Sequence, residues 1–433
     1  MHHHVRSTQW TTATVYAVGA VAAGTVLPRL ESALLPHVLS PLTVGAAIAI
    51  YSSVASGMIA LSGLVFSLTF VMVQFSATAY SPRLVLWFAR DRILTHAFGT
   101  FTATFLYAVA ILAWIGRGGT TGVPLISAVM VFVLLLASVA MFVALTNRVA
   151  MMQISRALAF IGDQGRSVID AVYPNLVCAA VDPAPKDLEH AEATQVVLHH
   201  GPPLAVETVN VDGLVRLAAS ADATIEVLVV VGETVVESTP LLRVIGGRVA
   251  IEESALLSTI DLDVERTFEQ DPKYAIRLLV DIAIRALSPA VNDPTTAVQA
   301  LDHIGDLLLR LSRRRIERGA FRDAAGRLRV IMPMPTWDDF LWLAFGEIHA
   351  YGATSLQVVR RMHALVADLL ATVPDERRVA LQYWQARLKS SVAANFADPA
   401  ERAVASAEDR QGLGLTRRSV KEQRSSPRAL TGT

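Results

Sequence analysis

Between Val38 and Tyr80 the chain contains no Asp, Glu, Lys, Arg or His. A water-soluble core has no need of so long an uncharged run, and one unbroken helix over it would be about 60 Å long, roughly twice the hydrocarbon thickness of a bilayer. Cysteine is nearly absent too: Cys178 stands alone, which excludes an intrachain disulfide and suits a reducing compartment. Four lysines against thirty-four arginines read as a genomic composition bias, and His2 to His4 after the initiator Met are given no function. The formal net charge is zero, with neither a basic arm nor an acidic tail, so nothing argues for nucleic acid. Walker and dinucleotide fingerprints are missing, no Gly-x-Ser-x-Gly elbow occurs, and Cys178 belongs to no Cys/His motif. An enzyme, a bound metal and a cofactor are therefore not expected.

What the chain does have is apolar surface: 53 % of its 433 residues are hydrophobic, too many for an ordinary soluble enzyme. The excess lies before Val149. Four spans are predicted, at Trp10 to Leu27, Ala55 to Ser76, Ala97 to Ile115 and Val123 to Thr146. A cleaved signal peptide is the competing reading of the first run, but the run starts late, carries Trp10 and Tyr16, and is followed by three more. For the central stretch, Ser40 and Pro41 read as a cap and first helical residue, Pro41 to Val54 as an amphipathic or re-entrant lead-in, and Ser52, Ser53, Ser56 and Gly57 as a soft point. Arg83, Arg90 and Arg92 after the second span, and Arg148, Arg156 and Arg166 after the fourth, outnumber the single arginines Arg29 and Arg117 of the other loops. The positive-inside rule then makes the C-terminal part cytosolic. Two crossings with a turn at Gly57 would reverse this, although Pro41 to Ser56 is short for a span.

Gly45, Ala49, Ser53 and Gly57 recur every four residues, as do Gly63 and Ser67. Small residues at this spacing let helices approach closely, either within one chain or around an axis shared by several. No ionisable residue lies at the centre of a span, and only His96 approaches an edge, which counts against a pump or proton-coupled carrier. The pore-lining candidates are Ser62, Ser67, Thr69 and Gln74, with Thr100 and Thr104 as further polar positions. Their other possible use is bonding helix backbones.

The remainder divides into a connecting helix and small β domain (149–260), a helical cytosolic domain (261–397) and a disordered tail (398–433). The period becomes that of strands at 195–199, 204–211 and 224–231, with a short helix from Gly213 capped by Asp212. The segment Gly232 to Val244 looks like one half of the small barrel of biotinyl and lipoyl carriers. The nearest lysines, Lys186 and Lys273, are too far along the chain for a swinging arm, so a structural barrel-like part is expected. Helices follow at 274–287, from Asp293 as N-cap and Pro294 to about Arg313, and at 337–351, 355–372 and 375–395, after a strand at 327–332. The fold class is thus a four-span α-helical membrane domain joined to an α+β domain with a barrel-like part and a helical bundle.

The turn Asn292, Asp293, Pro294 lies between two helices bearing Asp and Arg, and Asp281, Asn292, Asp293, Asp302, His303 and Asp306 are the ligand-binding candidates, for a cation or a ligand head group. Capping of a helix by Asp293 and i,i+4 pairing of Asp281 with Arg277 and Arg285 explain the same residues structurally. His199 and His200, adjacent in a strand, point to opposite faces and cannot share an ion.

Three segments, Gly63 to Ser67 (GLVFS), Phe75 to Arg83 (FSATAYSPR) and Leu279 to His303 (LVDIAIRALSPAVNDPTTAVQALDH), resemble a bacterial family of predicted membrane proteins whose shared domain has no assigned function. The resemblance covers nearly the whole chain and implies an inner-membrane protein with a cytosolic C-terminal domain; it brings no activity, cofactor or catalytic residue. Two functions are expected from the residues. The first is a homo-oligomeric ion channel or pore, gated by the cytosolic domain, with the lipid bilayer as partner and a small ion or solute passing. The second is a non-conducting, membrane-anchored ligand-binding, sensor or scaffold module.

Overall fold

The structure is a computed structural model describing residues 5–35, 37–79, 92–116, 122–150, 154–176, 192–316 and 319–410. Cys178, Lys186, Arg83, Arg90, the Ser81–Arg83 stop and residues 411–433 of the expected disordered tail lie outside them. The chain forms two compact units, Met1–Gln153 and Ile154–Thr433.

Among the described residues the first unit holds four helices, α1 (Val5–Leu34), α2 (Val44–Ala79), α3 (Arg92–Ile115) and α4 (Leu125–Ala150). Helix α3 is the hub, with α1, α2 and α4 each packed on it. Close approach is possible because a Cβ on Gly24 of α1 would stand 2.7 Å from Ala110 of α3. Tyr51, Phe101, Tyr107 and Ile111 are buried at these contacts. The α3–α4 seam is joined by Thr104, whose Oγ1 lies 2.8 Å from Ser138 Oγ. The carboxylate of Glu31, 3 % exposed, accepts the Ile126 and Ser127 N–H groups at 2.5 and 2.9 Å and so caps α4 from another helix.

Among the described residues three helical stretches are long and apolar enough to cross a membrane: Val44–Val71, Ile93–Ile115 and Leu125–Asn147. Helix α1 is not among them; it continues through Pro28 and carries Arg29 and Glu31. Two expectations for the central stretch are corrected. The helix begins at Val44, with Thr43 Oγ1 accepting the Ala46 N–H at 3.3 Å, instead of at Pro41. The soft point at Ser52–Gly57 is unbroken helix, because no proline interrupts it and the Ser53 hydroxyl donates back to Ala49 O at 2.8 Å.

The second unit starts with α5 (Ile154–Val172), followed by β1 (Ala193–Leu198), β2 (Leu204–Val209), α6 (Val211–Ala221), β3 (Ala223–Val227), β4 (Thr234–Val235), β5 (Pro240–Gly246), α7 (Glu253–Leu257) and β6 (Ile260–Asp263). Next come α8 (Pro272–Ala286), α9 (Pro294–Ser312), β7 (Gly319–Arg322), β8 (Leu328–Met332), α10 (Trp337–Gly352), α11 (Leu356–Thr372), α12 (Asp375–Asn395) and α13 (Pro399–Ala405). The strands form a five-stranded sheet, β1-β5-β3-β8-β7, and a three-stranded sheet, β4-β2-β6.

The expected barrel-like part is therefore replaced by two sheets, neither closed into a barrel. The reason is a partner from far along the chain: β3 pairs in parallel with β8, Ile225 opposite Val330, and every other pair is antiparallel. That pairing also removes the boundary drawn at 260, since a strand from the helical half completes the sheet of the β half. Val197, Ile225, Leu242, Leu256 and Val330 share one apolar core. Helix α6 is capped not by Asp212 but by Asn210, whose side chain accepts the Gly213 N–H.

Helices α8 to α12 lie close to their predicted bounds, and α8 and α9 pack on each other and on α5. Residues 398–410, expected to be disordered, are ordered. Asp398 caps α13, Ala405 is buried against Val359, Val392 and Phe396, and the fully buried Arg360 donates from Nε to Ala407 O at 3.4 Å and faces Asp409 at 3.9 Å.

Candidate functional site

Helix α8 opens with Asp271-Pro272, the residue types that favour a start: a carboxylate to accept an orphan N–H and a proline that needs no N–H partner. Asp271 Oδ1 accepts the Lys273 N–H at 3.0 Å. Its other oxygen, Oδ2, is buried and has no hydrogen-bond partner among the described residues. The residue is 2 % exposed, and burial raises its carboxyl above the ordinary range, opposed by the nearby Lys273 and Arg266 charges.

The β3–β4 turn closes over this carboxylate. Gly232 has φ +86°, its N–H donates to Val206 O at 2.8 Å, and a Cβ there would lie 2.1 Å from Asp271 Oδ2. The Glu233 side chain accepts the Val230 N–H at 2.9 Å and fixes the turn. Beyond the end of α5, Tyr173 sits edge-on to Phe340. Its buried hydroxyl also lacks a partner among the described residues, and burial pushes its pKa up.

Asp271, Tyr173 and Lys273 line a cleft of about 440 Å³ whose walls include Val209, Phe321 and Met334. A second cleft of about 340 Å³ shares Val230 and Lys273 and adds Arg266, Arg277 and Glu233. Among the described residues the Lys273 ammonium makes no ion pair or hydrogen bond, although the Asp271, Glu233 and Asp339 charges act on it, and partial burial lowers its pKa. Buried polar atoms are nearly always satisfied by protein, water or ligand. The Asp271 carboxylate, the Tyr173 hydroxyl and the Lys273 ammonium thus stand along one pair of clefts that share Val230 and Lys273.

The sequence-predicted residues lie elsewhere: the Asp302 and Asp306 charges act on His303, while Asp281 and Asp293 are engaged separately. Asp281 pairs with Arg277, which also donates to Glu347 at 2.6 Å and joins α8 to α10. Asp293 caps α9 through the Thr296 N–H at 3.1 Å. Asn292 is exposed at φ +48°. Asp302 accepts from Arg361 Nε at 2.6 Å, and Asp306 from Arg166 Nη1 at 2.6 Å. His303 lies against Gly162, and burial lowers its pKa. Each acid is held by a different arginine or by a helix terminus. Among the described residues no three His, Cys, Asp or Glu side chains form a metal-binding group. In α2, Ser62 and Thr69 donate back to Met58 O and Val65 O, each at 2.8 Å, while Ser67 and Gln74 lie on exposed faces.

Residues 6–368 match the model of a family described as predicted membrane protein, DUF2254. The chain belongs to the DUF2254 family. Uncharacterised proteins of Mycobacterium bovis and of Mycobacterium tuberculosis H37Rv are each 28 % identical to it over 397 residues, covering 89 % of this chain and 76 % of theirs. No solved structure matches it. In this DUF2254 chain, sequence reasoning missed Asp271, Tyr173 and Gly232. The one available signal was the Asp-Pro pair at 271–272, the same helix start that marks Asp293-Pro294 and Asp398-Pro399.

Proposed function

We propose that this chain is a membrane-anchored receptor that binds a small molecule in the paired clefts of its second unit, and that it binds without catalysing. The observation that supports this reading is the buried Asp271 Oδ2, without a partner among the described residues, beside a Lys273 ammonium that is unpaired among them. The anchor in this proposal is a set of four spans, with α1 lying across the bilayer despite its charges. The loop arginines favour a second unit in the cytosol of a bacterium. The test is thermal unfolding of the full-length protein in lipid nanodiscs across a broad metabolite library. The expected result is a compound that raises the midpoint for wild type and not for Lys273→Met. A library without any such compound overturns the receptor.

A second reading, a homo-oligomer meeting through α2, draws on one observation: Gly45, Gly57 and Gly63 face open space in the chain, each with nothing within 4 Å of a built Cβ. Such a face suits close packing between copies. A pore along that axis is the less favoured use, because the Ser62 and Thr69 hydroxyls are engaged by their own helix. The particle mass in native lipid tests the oligomer, and a monomer removes both oligomer and pore.

A further inference from the structure

We propose that the ligand of the paired clefts is a nucleotide, its aminated heteroaromatic ring in the Asp271 cleft and its phosphate against Lys273 and Arg266 in the adjoining one. This rests on the receptor reading and names the ligand class. The first cleft is walled by apolar side chains, Val209, Phe321, Met332 and Met334 among them, and is lined as well by Asp271, whose buried Oδ2 has no hydrogen-bond partner among the described residues. A flat ring with an N–H edge meets both conditions, and the Tyr173 hydroxyl supplies a second polar contact.

Charge then sets the direction. The exposed Asp212 and Glu269 stand at the first cleft and repel an anion from it. The second cleft holds Arg266, Lys273 and Arg277 against Glu233. Arg277 is already paired with Asp281 and Glu347, whereas Arg266 and Lys273 have no ion pair among the described residues. A phosphate at that end pairs both cations. A fatty acid leaves Asp271 Oδ2 and Tyr173 unmet, and a free amino acid, with its ammonium and carboxylate on one carbon, leaves Arg266 unmet.

The experiment is a thermal-shift and calorimetric titration of the full-length protein in phosphatidylcholine nanodiscs at fixed ionic strength. The probes are AMP, GMP, CMP, UMP, guanosine, inorganic phosphate, leucine and myristate. We expect the amino-bearing nucleotides to bind more tightly than UMP, guanosine or phosphate. Lys273→Met and Arg266→Met each weaken them at least about tenfold, the worth of one charged hydrogen bond. Equal nucleotide affinity in wild type and both variants overturns the placement. Lys273-dependent binding of leucine, myristate or another library compound, without nucleotide binding, overturns the ligand class and leaves the receptor standing. No Lys273-dependent binding of any compound removes both.

Discussion

Asp271 Oδ2 occupies the space in which any residue other than glycine at position 232 would place its Cβ, only 2.1 Å away. The turn and the carboxylate therefore exclude any side chain at 232. Gly232→Ala meets that contact and also a φ of +86° that L side chains rarely adopt. The expected loss is about 2 kcal/mol or more, read as a lower denaturation midpoint of the full-length protein, and a midpoint equal to wild type contradicts the geometry.

Stability also depends on the protonation of Asp271. Its folded pKa is raised by burial, so the folded state binds the proton more tightly than the unfolded chain does. The stabilisation is fully present below the unfolded value, near 4, and is lost as pH rises through the higher folded value. Asp271→Asn, which cannot ionise, is expected to flatten this decline. Melting curves from pH 4 to 8 for both proteins check it, and parallel profiles reject it.

Asp409 stands 3.9 Å from the guanidinium of the fully buried Arg360. Asp409→Ala removes a counter-charge from that buried guanidinium and is expected to cost about 3 to 5 kcal/mol. The double variant Arg360→Met, Asp409→Leu should recover most of the loss, and urea unfolding of the three proteins measures it. Equal loss in the single and double variants points to packing alone.

Glu31 accepts two N–H groups at the start of α4 and the Ser127 hydroxyl at 2.9 Å. Glu31→Ala removes the acceptor from these donors, those of Ser127 being buried, and is expected to destabilise by about 1 to 3 kcal/mol. Thermal unfolding in detergent reads the loss, and Glu31→Gln, which keeps an acceptor, should fall between wild type and Ala.

Much of the fold was legible because its signals are local. Asp293-Pro294 announces α9, alternation announces β1 to β3, and uncharged runs announce the helices of the first unit. The parallel pairing of β3 with β8 was not, because both strands are short apolar runs whose partner choice depends on everything between them. The site was less legible still. An Asp before a Pro reads as a cap, and Asp271 is one; that its second oxygen is buried follows from Gly232 and Tyr173, which are distant in sequence. Asp302, Asp306 and Asp281 lie on neighbouring helices, but each is paired with a different arginine: Asp281 with Arg277 of its own helix, Asp302 and Asp306 with Arg361 and Arg166 of two others.

The late partner of β3 has a consequence for synthesis. Ala223 accepts from Arg329, 106 residues further along, so the five-stranded sheet cannot be completed until that distant segment has left the ribosome. Until then the β3 edge is an exposed ladder of amide and carbonyl groups, the kind of edge on which nascent chains associate wrongly. Slow translation between β6 and β7 would lengthen that interval, and chaperone dependence of expression should follow the codon speed of residues 264–318.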